Sequence, residues 1–211
     1  MMGECSRKIS HKCLFNNNHL LFIIAYDYAN KWSASTNSLS SSLNDVSLIW
    51  KVFRRKYCLN TDQIFIFGEL DLDGKMVPWR ERYFSKFPDV IPSDKKIVFY
   101  YSGHGMEDGS FCIPAGQAQI ALDLLKNGKY LWYILDSCYS YRWNPPSVPL
   151  WTKVCATTMA IPIGISCKKI SFFTYNFTSF LMSDSQTQDL IHWAEENGYH
   201  VESQKIHEIY K

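Results

Sequence analysis

The sequence predicts an α/β fold: a mainly parallel central sheet with helices on both faces. Three observations lead there. Short, unbroken apolar runs of strand length recur along the chain, and such runs suit strands covered on both faces. Segments with apolar residues at three- and four-residue steps lie between them, as in helices that pack one side on a sheet. The 211 residues suit a single domain, for which ~100–200 residues is typical. Alternation of the two element types is the pattern of parallel strands joined by helical crossovers.

In chain order, residues 1–18 show no periodicity and read as a loose arm. Leu20 to Tyr26 is the first buried strand, and the polar, serine-rich stretch Asp27 to Ser38 is a loop. Leu39, Leu43, Val46, Trp50 and Phe53 make one apolar stripe of a helix that Ser38 or Ser40 would cap. Gln63 to Phe67 is a second strand and Asp71 to Gly74 a turn. Pro78 suits a helix start, and Trp79, Tyr83 and Phe87 continue at four-residue spacing, so a second helix is expected there. Ile97 to Tyr101 is a third strand, Phe111 to Ile113 a short extended piece, and Ile120, Leu124 and Leu125 mark a helix. Tyr130 to Leu135 is a fourth strand and Asn144-Pro145-Pro146 a stiff link. Lys153 to Thr158 is a fifth strand, Phe172 to Met182 and Gln188 to Asn197 are helices, and Tyr199 to Ile206 is the last strand.

Composition narrows the function classes. Apolar residues are 46% of the chain and charged residues 20%, which suits a folded protein rather than a disordered one. The net charge is +2, and the only basic cluster is Arg54-Arg55-Lys56; no nucleic-acid partner is expected. Seven cysteines without a CxxC pair suggest neither a zinc site nor a disulfide framework, so reduced thiols and a cytoplasmic location are expected. No run reaches the ~18 apolar residues of a membrane span. No GxGxxG and no Gly-Lys-Ser/Thr phosphate loop follows the first strand, which leaves a nucleotide-binding module without its usual cradle.

Two residues with nucleophile chemistry fall at strand ends, where sites gather in sheets of this kind. His104 lies between Gly103 and Gly105, just past the third strand, and Cys138 follows the fourth. A thiolate is the reactive form of cysteine, and a neighbouring histidine can take its proton and later hand one to a leaving amine. The backbone N–H groups of Gly105 and Cys138 are candidate donors to a developing oxyanion.

Phe99-Tyr100-Tyr101-Ser102-Gly103-His104-Gly105 resembles the histidine motif of the metacaspases, within the caspase-like cysteine peptidases. Ile134-Leu135-Asp136-Ser137-Cys138 resembles their nucleophile motif. Weaker echoes are Leu43-Asn44-Asp45-Val46 and Phe173-Thr174. The resemblance covers roughly Leu20 to Ile206. It implies a caspase-like three-layer sandwich in residues 19–211, with a large-subunit-like part in 19–143 and a small-subunit-like part in 150–211. It also implies a monomeric cysteine endopeptidase cleaving protein or peptide substrates after Arg or Lys, with His104 and Cys138 as the catalytic dyad. Asp45 and Asp136 would bind the basic side chain. Read locally, Asp45 is also a helix-start carboxylate facing the dipole, and Asp136 a hydrogen-bonded turn residue.

The chain departs from the family after the nucleophile, where Tyr139-Ser140-Tyr141 replaces His-Ser-Gly. That departure motivates the alternative of a catalytically silent caspase-fold binding or regulatory protein. Some relatives need calcium, but Glu107, Asp108 and Asp123 make no obvious cage for an ion that takes six to eight oxygens; no cofactor and no metal are expected. Self-cleavage after a basic residue would use Lys126, Lys129, Arg142 or Lys153.

Overall fold

The computed structural model describes residues 18–29, 38–84, 95–114, 117, 131–145, 151–156, 162–165, 168–183 and 189–204. Most of the N-terminal arm, the helix expected around Ile120 to Leu125, Asp123, Lys126 and Lys129 lie outside these residues. Asn18, the arm's last residue, is already tied to the sheet, its carbonyl accepting from the Lys96 N–H at 2.7 Å.

Four strands form the parallel heart of the sheet: β1 (His19–Tyr26), β2 (Ile64–Glu69), β4 (Lys96–Ser102) and β5 (Leu131–Asp136). A two-residue strand β3 (Tyr83–Phe84) pairs parallel with β2 at one edge. At the other edge β6 (Trp151–Cys155) runs parallel to β5, and β9 (His200–Gln204) closes the sheet antiparallel to β6. The order is β3-β2-β1-β4-β5-β6-β9, so strands from both sides of the Pro-rich link share one sheet. A separate hairpin, β7 (Pro162–Ile165) and β8 (Lys168–Ser171), was not foreseen from the sequence.

The continuous apolar runs have the expected cause. Leu21 to Ala25 are wholly buried, and alternate residues enter different cores. Leu21, Ile23 and Ala25 pack with Val98, Tyr100 and Ile134 beneath α1 (Ser42–Arg55), α2 (Phe172–Met182) and α3 (Leu190–Glu196). Phe22, Ile24 and Tyr26 face the other way, into an aromatic core with Phe99, Tyr101, Phe111, Tyr133 and Trp143. Each such large apolar side chain contributes about 1.5–3 kcal/mol by leaving water. The three described helices all lie on the first face.

Two expectations need correction. α1 begins at Ser42 rather than near Leu39, because the Leu39 N–H is held by the Asp27 carbonyl at the end of β1, 2.7 Å away. The helix expected over Trp79, Tyr83 and Phe87 is instead a 3-10 turn, Arg80–Arg82, leading into β3; Phe87 lies outside the described residues. Tertiary partners outweigh spacing here. Trp79 is buried with its Nε1 donating to Ser47 Oγ at 3.0 Å, and the open edge of β2 takes Tyr83 and Phe84 as a strand. The Tyr83 hydroxyl bonds the Gly68 carbonyl and accepts from Leu70 N–H.

Candidate active site

Strand register sets the two catalytic candidates side by side. The last paired residues of β4 and β5 are Ser102 and Asp136. His104 and Cys138 each stand two residues beyond their member of that pair, so both chains leave neighbouring strands at the same level. Adjacent strands are about 4.8 Å apart. The Gly103 N–H reaches the Asp136 carbonyl at 3.3 Å, extending the ladder past its formal end.

Glycine makes the next contact. A methyl group on Gly105 would overlap the carbonyl oxygen of Cys138, so only glycine lets the histidine loop lie this close to the Cys138 peptide. Neither the Gly105 N–H nor the Cys138 N–H has a backbone acceptor among the described residues. Both amides predicted as oxyanion donors therefore stand at the contact between the two loops.

The histidine is fixed from below by tyrosines. Tyr28, just past β1, accepts the His104 N–H on its hydroxyl at 2.8 Å and donates that hydroxyl to the Cys112 carbonyl at 2.9 Å. Its ring lies against the imidazole, with centroids 4.6 Å apart. Tyr101 donates to the His104 carbonyl at 2.7 Å. Burial pushes the Tyr28 phenol well above its ordinary range, which keeps it a donor at any physiological pH. Tyr101 belongs to the histidine motif, whereas Tyr28 carries no motif signal that separates it from core aromatics.

Cys138 is half-buried, at the top of a tight turn. Tyr139 adopts the left-handed conformation (φ 54°), and a 3-10 turn, Ser140–Arg142, follows at once. Ser140 Oγ donates to the Ser137 carbonyl at 2.9 Å and so closes the turn on itself. The bulky residues of the departing motif point outward: Tyr139 and Tyr141 are exposed, with the Arg142 guanidinium over both rings at 5.5 and 5.4 Å. Arg142 Nη1 donates to the Glu107 carbonyl at 2.6 Å, bridging the nucleophile turn to the histidine loop.

Asp45 and Asp136 come together as the sequence expects, and both are buried, 0% and 1% exposed. Asp45 sits in the first turn of α1. It accepts the Ser171 N–H at 2.8 Å and the Ser102 hydroxyl at 3.4 Å. Asp136 ends β5 and accepts the Thr174 hydroxyl at 2.6 Å, and Thr174 Oγ1 also meets the Tyr100 hydroxyl at 2.6 Å. The other oxygen of Asp136, Oδ1, is buried with no hydrogen-bond partner among the described residues, as are the hydroxyls of Ser137 and Ser171. Burial, and then the neighbouring Asp136 carboxylate, push Asp45 well above the carboxylate range. Burial pushes Asp136 up to about 6, held back by the Thr174 hydroxyl that donates to it. Two adjacent buried carboxylates favour each other's protonated form. Ser42, Ser102, Ser171 and Thr174 complete this polar cluster. Ser102 lies in the histidine motif and Thr174 in the Phe173-Thr174 pair; Ser42 and Ser171 carried no signal.

The remaining predicted features stand elsewhere. Glu107 and Asp108 are exposed, and Asp108 caps its own loop by accepting the Ser110 N–H at 2.8 Å. No group of three or more His, Cys, Asp or Glu among the described residues is arranged to hold a metal ion. Lys153 is wholly buried in β6, out of reach of any peptidase. Arg142 belongs to the same turn as Cys138, so its peptide bond cannot present itself to that thiol in the same chain. An open cavity of about 490 Å³ lies past the ends of β1 and β2; its walls include Asp27, Asn44 and Lys51, but neither Asp45 nor Asp136. No helix among the described residues is long and apolar enough to cross a membrane.

No protein-family model matches the chain, and no curated protein matches it.

Proposed function

We propose that this chain is a cysteine endopeptidase of caspase-like architecture that hydrolyses peptide bonds after Arg or Lys through His104 and Cys138. The observation that supports the reading is the approach of the Gly105 peptide to the Cys138 peptide at adjoining strand ends, which sets the two motif loops against each other.

In this reading the Cys138 thiol loses its proton to His104 and the sulfur attacks the scissile carbonyl carbon. The carbonyl oxygen takes the negative charge and is met by the Gly105 and Cys138 N–H groups. As the C–N bond breaks, His104 returns the proton to the leaving amine, leaving a thioester on Cys138. Water then attacks the thioester, its proton passing by way of His104 to the departing sulfur, and the acid product leaves with the thiol restored. The buried carboxylate pair supports specificity for a basic side chain. Its unpartnered Asp136 oxygen is an acceptor for an ammonium or guanidinium, a charge-assisted bond stronger than a neutral one.

The test is hydrolysis of fluorogenic peptides ending in arginine, lysine or aspartate by the wild type and Cys138→Ala, with labelling by an arginine-containing peptide ketone. Cleavage after the basic residues that vanishes in the variant, with the label on Cys138, is the expected result. Folded protein that neither turns over nor takes the label refutes the peptidase reading and leaves a silent caspase-fold binding protein.

A further inference from the structure

A lysine with no exposed surface is a demanding feature in a strand. Its ammonium has three donors, and leaving them unmet in the interior is strongly unfavourable. Lys153, in the middle of β6, meets three acceptors: Glu202 Oε2 at 2.8 Å, the Tyr141 carbonyl at 3.1 Å and the Trp143 carbonyl at 2.8 Å. Glu202 is its register partner on β9. The two carbonyls belong to the turn that carries Cys138. The carboxylate is itself held, since Glu202 Oε1 meets His200 Nε2 at 2.7 Å, and the His200 ring lies edge-on to Tyr141 at 5.9 Å.

This turn needs an outside hold. It contains the left-handed Tyr139, a conformation unfavourable for a bulky residue unless its surroundings impose it. Its own bonds, Arg142 N–H to Tyr139 O at 2.9 Å and Trp143 N–H to Ser140 O at 3.1 Å, are local. Lys153 is the tie that runs from the sheet beneath to the turn's far end.

We propose that Lys153 is a positioning residue for the nucleophile: paired with Glu202 of the last strand, it clamps the Tyr141 and Trp143 carbonyls and so fixes where Cys138 points. Its catalytic consequence rests on the peptidase reading above; its structural consequence does not.

The full chain is compared as wild type, Lys153→Met and Glu202→Gln. Hydrogen exchange is followed peptide by peptide, with the kcat and KM of an arginyl peptide. Lys153→Met is expected to raise exchange of the Arg142 and Trp143 amides at least tenfold, while β1 and β4 keep their protection. It is also expected to lower kcat at least tenfold with KM little changed. Glu202→Gln, which keeps the side chain's shape and weakens its hold on the ammonium, is expected to shift both in the same direction by less; it decides the matter if Lys153→Met does not fold. Unchanged exchange in the turn, or faster exchange spread evenly over the sheet, overturns the clamp. If the wild type shows no turnover the peptidase reading fails, and the exchange data still decide the clamp.

Discussion

Replacing Asp136 by asparagine is expected to make the protein more stable and less active, and the pH dependence of that gain tests the buried carboxylate pair directly. Asp136 is raised from 3.8 to about 6 by burial, so the folded protein binds its proton more tightly than the unfolded chain does. Stability from this group is then fully present below about pH 4 and is lost as pH rises through about 6. Each tenfold difference in proton affinity between the folded and unfolded chain corresponds to about 1.4 kcal/mol, so ionised Asp136 lowers stability by about 3 kcal/mol above pH 7. Asparagine keeps an oxygen to accept from Thr174 and never ionises. It also relieves Asp45, which Asp136 pushes up further after burial has done so. Urea unfolding of both proteins from pH 4 to 8 should give curves that diverge with rising pH, the variant gaining on the order of 3 kcal/mol by pH 7. Binding of an arginine-containing inhibitor to the wild type should strengthen over the same interval, because the guanidinium needs the ionised carboxylate, and should be lost in the variant. Parallel unfolding curves would show that Asp136 ionises normally when folded, and the argument from burial would fail.

Two further substitutions probe how the loops meet. Gly105→Ala pushes a methyl group into the Cys138 carbonyl; a loss of about 1–3 kcal/mol is expected in thermal unfolding, with much slower alkylation of Cys138 at pH 6, and an unchanged alkylation rate would mean that the loops do not meet. Tyr28→Phe removes the acceptor for the His104 N–H and the donor to the Cys112 carbonyl. It should destabilise by about 1–3 kcal/mol and lower kcat more than it changes KM; an equal fall in stability with kcat intact would make Tyr28 purely structural.

The parallel heart of the sheet was legible because its strands are buried on both faces, so each reads as one unbroken apolar run. That the His104 and Cys138 loops adjoin was legible because each is a local motif placed where a strand ends. What could not be read depends on partners distant in sequence. β3 exists because the edge of β2 was open, and nothing in Tyr83-Phe84 announces that. The Asp45 carboxylate is held by Ser171, which the hairpin of β7 and β8 delivers. The sequence did hold one unused signal. Lys153 is the one charge in β6, and a charge in a strand inside the sheet implies a buried partner; taken by itself it looked like a cleavage site.

The distribution of these contacts along the chain matters for how the site is built. His104, Cys138, Asp45 and Asp136 all precede the Pro-rich link, as do Tyr28 and Tyr101, which fix His104, yet several of the groups that hold the carboxylates and the Cys138 turn follow it. Ser171 and Thr174 hold the two carboxylates, and Lys153 with Glu202 holds the nucleophile turn. None of these four belongs to the motifs that carry the chemistry, apart from the faint Phe173-Thr174 echo. Without them Asp45 and Asp136 would be two adjacent buried carboxylates with fewer donors, and the turn that holds the left-handed Tyr139 would lose its tie from Lys153 to the Tyr141 and Trp143 carbonyls. The proposed site residues therefore lie in the first two-thirds of the chain, while part of their geometry depends on the last third. A site divided in this way forms only when β6 and β9 have joined the sheet, so the reactivity of Cys138 should appear together with the protection of the last strand during refolding and not before it.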